Sequence, residues 1–336
     1  MDMKEKYKLC VAPMMGHTDR HFRFLLRMIS KKSMLYTEMV AANSIMYKKD
    51  SHSKLMHSNE KPVGFQVAGD EPKTLADSVK IINKYDYDEI NLNIGCPSKR
   101  AQAGGFGACQ FDNPDLVATA VREISKVTNL PISVKTRLGL NNNSNYNDLY
   151  NFINVVSNEN VKVFHIHARN AILKGINPRK NRSVPQINYE WVYRVKEDYP
   201  SLIIIINGEI SLIKDIILHL DKVDGVMIGR EVCNNPFILN DIERLIYPET
   251  KVPNKQDIVK LYLEYIINNI NKYEKITDFT KHLACFFKGT IGSKHTRAYM
   301  CHEIKYEKNP IRKLEELINK EAVWQQDGLE SNIKVM

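Results

Sequence analysis

Eight times along the chain a short apolar, β-branched run is followed by a stretch with helical spacing, and few architectures accommodate that alternation. The runs are "KLCVAPM", "LYTEMV", "PVGFQVAG", "EINLNIG", "PISVKTRLG", "VKVFHIHAR", "LIIIING" and "GVMIGRE". β-Branched residues fit a pleated surface, and runs closed by Gly or Pro read as strands. Between them, "DRHFRFLLRMIS", "TLADSVKIINKY", "NPDLVATAVREISKV", "YNDLYNFINVVS", "YEWVYRVKEDY" and "SLIKDIILHL" place apolar residues on one helical face. The segment after the second run is weaker, and "NPFILNDIERLI" follows the eighth. Such alternation implies parallel strands. Eight units in about 250 residues is the count of a (β/α)8 TIM barrel. A doubly wound open sheet is the competitor, but no GxGxxG follows the first run.

The barrel should end near Tyr247, where "YPETKVPNKQD" reads as a linker. Beyond it, "IVKLYLEYIINNINKYEK", "DFTKHLACFFKGTIG" and "IRKLEELINKEAVWQ" read as helices of a small all-α domain. The expected division is therefore 1–247 for the barrel and 248–336 for the helical domain. Charge is unevenly spread. Of a net +9, residues 281–313 carry eight Lys or Arg against two acids, and residues 169–182 carry five basic residues and no acid. Clustered positive charge suits a polyanion, although any single Lys run can equally be a solvated face. The six cysteines form no CxxC pair, so zinc and dithiol redox chemistry lack support. No secretory signal pattern opens the chain, and the longest aliphatic run, "LIIII" at 202–206, is too short to cross a bilayer. Reduced thiols in a cytoplasmic compartment are expected, with no membrane and no metal, and with the protein a monomer.

In a barrel the chemistry clusters at the C-terminal ends of the strands. That rule selects Pro13, Met14 and Met15 after the first run, Gln66 in the third, and Asn93 in the fourth. It selects Lys135 and Arg137 in the fifth, His165, His167 and Arg169 in the sixth, Asn207 and Gly208 in the seventh, and Gly229 and Arg230 in the eighth. A lysine in "PISVKTRLG" needs either a carboxylate partner or an anionic or electron-rich ligand, because an unpaired buried charge is costly. Asn-Gly and Gly-Arg after the last two strands fit a phosphate site. Cys109 lies in "GGFGACQ", too glycine-rich for a good helix or strand. It reads either as a small buried residue or as a thiol on a mobile loop that serves as nucleophile or acid. Cys96, in "GCP", reads as structural.

These segments, with "APMMGHTDRHFRFLLR", "DEINLNIGCPS", "VKTRLG", "FHIHAR" and "NPFI" in the same order, resemble the tRNA-dihydrouridine synthases over nearly the whole chain. "NPRKNR" at 177–182 and the basic segment near 294 are similar to the A-type subgroup. The resemblance implies FMN at the barrel mouth, NADPH as reductant, and reduction of uridines in the tRNA D-loop, at positions 20 and 20a for the A-type. It implies that Pro13, Met14, Met15, Gln66, Lys135 and His167 meet the flavin, and that Asn207, Gly208, Glu209, Gly229 and Arg230 hold its ribityl phosphate region. It also implies that Cys109 is the acid, and that Asn93, Arg179, Arg182, Lys294 and Arg297 meet tRNA. The chain departs from the pattern at Gly16, where an acid is usual, at Glu209, where a second glycine is usual, at Gln110, where an aliphatic residue is common, and at Lys294, where an arginine is usual. Two rivals share parts of this picture. A small-molecule pyrimidine dehydrogenase has no use for the basic helical domain, and a non-catalytic tRNA-binding protein has no use for Cys109, Lys135 and His167.

Overall fold

The computed structural model describes residues 3–319 apart from 48–54, 56, 58, 59, 143, 252, 271–273 and 289–291. Its strands are β1 (Leu9–Val11), β2 (Leu35–Tyr36), β3 (Val40–Ala41), β4 (Val63–Ala68), β5 (Glu89–Ile94), β6 (Ile132–Arg137), β7 (Val163–His167), β8 (Ile203–Asn207) and β9 (Gly225–Ile228). All their pairings are parallel, in the order β1-β9-β8-β7-β6-β5-β4-β2. The seam is closed just ahead of β2. Val11 N donates to Met34 O at 2.9 Å, and Met34 N donates to Leu9 O at 2.8 Å. The result is the expected (β/α)8 barrel.

One run folds differently from its reading as a single strand. "LYTEMV" divides into β2 and β3, both paired with β4. The cause is Thr37: its N–H keeps the ladder by donating to Gly64 O at 3.0 Å, but its hydroxyl, not a backbone carbonyl, accepts from Gln66 N at 2.9 Å. The ladder is thereby interrupted at residues 37–39, and Met39 is left facing the cavity described below.

Burial explains why the strands hold. Every residue of β8 is buried, as expected for parallel strands covered on both faces. Each such isoleucine contributes roughly 1.5–3 kcal/mol on leaving water. The outer helices start where side chains satisfy their free N–H groups. Asp19 accepts from His21 N and Phe22 N ahead of Arg20–Ile29. Asn113 followed by Pro114 opens Pro114–Ser125, and Asn145 with Asp148 forms a capping box at Tyr146–Ser157. Aromatic contacts tie the outer layer together: Phe111, just ahead of Pro114–Ser125, stacks on Phe152 of Tyr146–Ser157 with ring centroids 4.9 Å apart.

The barrel's last helix is Ile238–Ile246, and the next element is Lys255–Asn269. Ile276–Leu283, Ser293–Ala298, a π-helical turn at Tyr299–Glu303 and Pro310–Ile318 follow. The sequence pattern extends the last helix past 319, outside the described residues. This helical region packs on Arg20–Ile29: Phe24 stacks on Tyr265 at 4.0 Å, and Phe22 on His282 at 5.0 Å. Asp19 joins the two parts twice, to His282 Nε2 at 2.9 Å and to Lys281 Nζ at 2.7 Å.

Candidate active site

A cavity of about 800 Å³ opens at the C-terminal ends of the strands. Its size is that of a cofactor site. Pro13, Met14 and Met15 line it after β1, Gln66 from β4, Asn93 from β5, and Lys135 and Arg137 from β6. His167 lines it from β7, Asn207, Gly208 and Glu209 from the end of β8, and Gly229 and Arg230 from the end of β9. These positions come together because β5, β6, β7 and β8 run in register: Asn93 lies beside Lys135, Arg137 beside His167, and His167 beside Asn207.

The wall is mostly cationic: Arg100, Lys135, Arg137, Arg182 and Arg230 line it against Glu209 and Glu231, and Glu209 is already held by Arg169. Lys135 Nζ donates to Asn207 Oδ1 at 3.2 Å, and no ion pair joins it to a carboxylate among the described residues. Burial, and then the Arg137 guanidinium, pull its pKa down to about 7. Burial likewise lowers Arg137 to about 10. It holds His167 well below the usual imidazole range, with Arg137, Lys135, Arg169 and Arg230 adding to the effect. Of the two readings of Lys135, the carboxylate-paired one fails. A cationic excess, with Lys135 in no ion pair among the described residues, suits an anionic or electron-rich ligand.

Arg182 reaches the cavity from a loop that folds back on itself. Asn181 is buried, donating through Nδ2 to Ile172 O at 2.7 Å and accepting from Ile172 N at 2.8 Å. Arg137 Nη1 donates to Asn181 O at 2.8 Å, and its Nε donates to Gly95 O at 3.2 Å. One guanidinium thus ties this loop to the turn after β5. Burial, Arg230 and Arg179 all lower the Arg182 pKa, so three arginines share one region. Arg179 itself is exposed and lies outside the cavity lining.

A family model for Dihydrouridine synthase (Dus) matches residues 10–323. The chain belongs to the dihydrouridine synthase family. It is therefore an oxidoreductase. Several curated relatives carry the name tRNA-dihydrouridine(20/20a) synthase. The one from Synechocystis sp. is 41% identical over 290 residues, covering 86% of this chain and 87% of that protein. The one from Escherichia coli (strain K12) is 39% identical over 296 residues, covering 87% and 85%. The one from Vibrio cholerae is 37% identical over 300 residues, covering 89% and 91%. Among solved structures, morphinone reductase in complex with tetrahydroNAD aligns with TM-score 0.50 at 8% identity, over 75% of this chain and 90% of that one. A 2-naphthoyl-CoA reductase complex aligns with TM-score 0.53 at 6% identity, over 70% and 49%. At those identities the likeness is one of fold.

Within this dihydrouridine synthase the two cysteines near β5 exchange the places expected of them. Cys109 does not line the cavity. It sits in a short 3-10 turn, Gly107–Gln110, not on a free loop, and its thiol donates to Phe106 O at 3.2 Å. Burial raises its pKa. The turn is pinned from beneath by the unusual Gln110, which is buried, donates to Gly69 O at 3.0 Å and accepts from Gly107 N at 3.3 Å. Cys96, read from sequence as structural, is in the cavity wall. Its thiol is near enough to Lys135 and Arg137 to act on the titration of both. Asn93 Oδ1 holds its turn, accepting from Gly95 N at 3.1 Å and Cys96 N at 3.0 Å. The available signal was position: "GCP" leaves the C-terminal end of β5 directly. Arg100 and Ser98 also line the cavity and were not anticipated.

The other departures have local accounts. Gly208 has φ +129, and a Cβ there would meet His167 Cδ2 at 3.0 Å. Glu209, where a glycine is usual, also stands in the left-handed region at φ 53, and its carboxylate is held by Arg169. Gly16, at φ +78, donates its N–H to the Glu38 carboxylate. Lys294 is exposed and Arg297 half-buried on Ser293–Ala298; neither lines the cavity. The basic character of that region is smaller than its composition suggests. Lys281 is paired with Asp19, and Arg312 and Lys313 both pair with Glu316. Among the described residues no group of three or more His, Cys, Asp or Glu could hold a metal, and no helix is long and apolar enough to cross a membrane.

Proposed function

We propose that this enzyme reduces uridine to 5,6-dihydrouridine in the tRNA D-loop, at positions 20 and 20a, with FMN seated in the cavity and NADPH as reductant. The observation that carries the reading is the cavity wall, where Lys135 has no carboxylate partner and Cys96 stands near it and Arg137. The donor set fits a flavin: a lysine for the electron-rich end of the ring, His167 beside it, and Asn207, Gly208, Gly229 and Arg230 grouped at the ends of β8 and β9 for the phosphate region. Gly208 supports this, because any side chain there would push His167 aside.

When bound, the reduced flavin supplies a hydride to C6 of the uracil ring. The protein's part is to complete the addition. Negative charge develops at C5, conjugated to the C4 carbonyl, and a proton must reach C5 from a positioned acid. We assign that acid to Cys96 in place of Cys109, because of the two only Cys96 lines the cavity, where its thiol lies 3.4 Å from Ser98 Oγ, while the Cys109 thiol donates to Phe106 O. Lys135 and Arg137 stabilise the negative charge that develops in the cavity. The target uridine must leave its stack to enter the cavity, as with other enzymes that act on bases. Arg182 in the cavity wall and the exposed Arg179 would meet phosphates, and Lys294 and Arg297 would do so from the helical region, taken as a domain spanning 248–336. We take the enzyme to act as a monomer.

The test separates the half-reactions. Cys96→Ala should retain flavin and its reduction by NADPH, yet transfer to unmodified tRNA should fall by about 10²–10⁴, the worth of a positioned acid. Cys109→Ala should stay within a few-fold of wild type. The opposite ranking would return the acid role to Cys109.

A further inference from the structure

Beneath the cavity, at the opposite end of β5, Glu89 is fully buried and surrounded by hydroxyl donors. Tyr7 Oη donates to its Oε2 at 2.5 Å, Tyr36 Oη donates to its Oε1 at 2.9 Å, and Ser133 Oγ donates to the same Oε1. With its proton committed to Glu89, Tyr36 accepts from His165 Nε2 at 2.9 Å, and His165 Nδ1 is left without a partner. Burial disfavours the charged form of Glu89, but His165, Ser133 and Tyr7 outweigh it and hold the pKa below the usual value. Glu89 is therefore a carboxylate that only accepts.

From Ser133 a chain of amides climbs to the cavity. Asn91 Nδ2 donates to Ser133 Oγ at 2.7 Å, Gln66 Nε2 to Asn91 Oδ1 at 2.7 Å, and Asn93 Nδ2 to Gln66 Oε1 at 2.8 Å. Asn93 Oδ1 then faces the backbone N–H groups of Gly95 and Cys96. An amide can flip and exchange its donor and acceptor ends. Here it cannot flip without cost. Because Glu89 accepts only, Ser133 must donate downward, and each amide above must then present its oxygen upward. We infer that Glu89, which touches no part of the cavity, is a positioning residue: through Ser133, Asn91, Gln66 and Asn93 it fixes the turn that carries Cys96. This rests on the functional reading above, in which Cys96 is the acid.

Glu89→Gln keeps the shape but gains a donor, so both directions of the chain become available. Glu89→Asp remains acceptor-only. In the flavin-loaded enzyme, Glu89→Gln should slow single-turnover reduction of tRNA by about tenfold or more, since a misplaced reacting group is costly. The half-saturating tRNA concentration should not change, and Glu89→Asp should retain more activity than Glu89→Gln. A second readout does not involve uridine. Peptide-resolved alkylation by iodoacetamide should be faster at Cys96 in Glu89→Gln, whose turn is freed, and unchanged at Cys109. If Glu89→Gln fails to fold, Ser133→Ala cuts the same link and carries both measurements. Wild-type turnover with wild-type Cys96 alkylation, or Glu89→Asp more impaired than Glu89→Gln, would overturn the inference. If wild-type protein reduces no uridine, the functional reading falls, and the Cys96 alkylation rates alone decide whether Glu89 governs the turn.

Discussion

Replacing Lys135 with methionine should make the flavin-free protein more stable at low pH, which is the reverse of what loss of a core hydrogen-bonding residue normally does. The reason is that Lys135 is a half-buried, desolvated cation whose hydrogen bond goes to the neutral Asn207 oxygen, 3.2 Å away, with no ion pair among the described residues. Burial and Arg137 bring its pKa from 10.5 to about 7 in the folded protein. In the unfolded chain it keeps the ordinary value. Between the two pKa values the unfolded state binds more protons, so this group makes stability rise with pH across that window. Below about pH 7 the lysine is charged in both states and the folded state bears the full penalty. At about 1.4 kcal/mol per unit the ceiling is roughly 5 kcal/mol, and water reaching the open cavity should reduce it to about 1–3 kcal/mol. Urea unfolding of Lys135→Met at several pH values reads this directly. The variant should gain about 1–3 kcal/mol at pH 6, and the gain should vanish above pH ~10. The same variant should bind FMN more weakly, by roughly 1.5–3 kcal/mol for a lost charged hydrogen bond. A variant destabilised equally at every pH, with unchanged flavin affinity, would refute the reasoning and make Lys135 a satisfied structural residue.

Other outcomes follow from particular contacts. Gly208→Val should lower both flavin content and stability, because φ +129 strains any side chain and the added Cβ would crowd His167; flavin absorbance and thermal melts of the purified variant are the check. The pair Lys294→Ala and Arg297→Ala should weaken tRNA binding by about 1–3 kcal/mol and flatten the dependence of log affinity on log salt. NADPH oxidation should be unaffected; titrations at several salt concentrations measure both. Glu209→Gly should change stability by only a few tenths of a kcal/mol, since relief of the left-handed backbone offsets loss of the Arg169 pair; thermal melts decide this.

The barrel was legible because eight short β-branched runs, most closed by Gly or Pro, alternate with segments that carry a helical face, the one after the second run only weakly. Most of the cavity wall was legible for the same reason: once the strands are placed, their C-terminal residues converge. What was not legible depended on side-chain direction in irregular backbone. Nothing in the spacing of Cys96 and Cys109 says which thiol faces the cavity; that is set by the turn Asn93 holds and by the 3-10 turn pinned by Gln110. The break in "LYTEMV" depends on one threonine hydroxyl replacing a ladder carbonyl, which no propensity encodes. The approach of Arg182 depends on Asn181, whose buried amide closes the loop back on Ile172. The charge count over 281–313 overstated the free cations, because Lys281, Arg312 and Lys313 have local carboxylate partners.

The central claim is that this cavity reduces tRNA uridine with a proton drawn from Cys96. It is tested most directly by incubating the FMN-loaded protein and NADPH with an unmodified tRNA transcript and mapping dihydrouridine along it by mass spectrometry. The account predicts dihydrouridine in the D-loop at position 20 or 20a with wild type and with Cys109→Ala, and essentially none with Cys96→Ala. A loaded wild-type enzyme that consumes NADPH and leaves every uridine unreduced would contradict it.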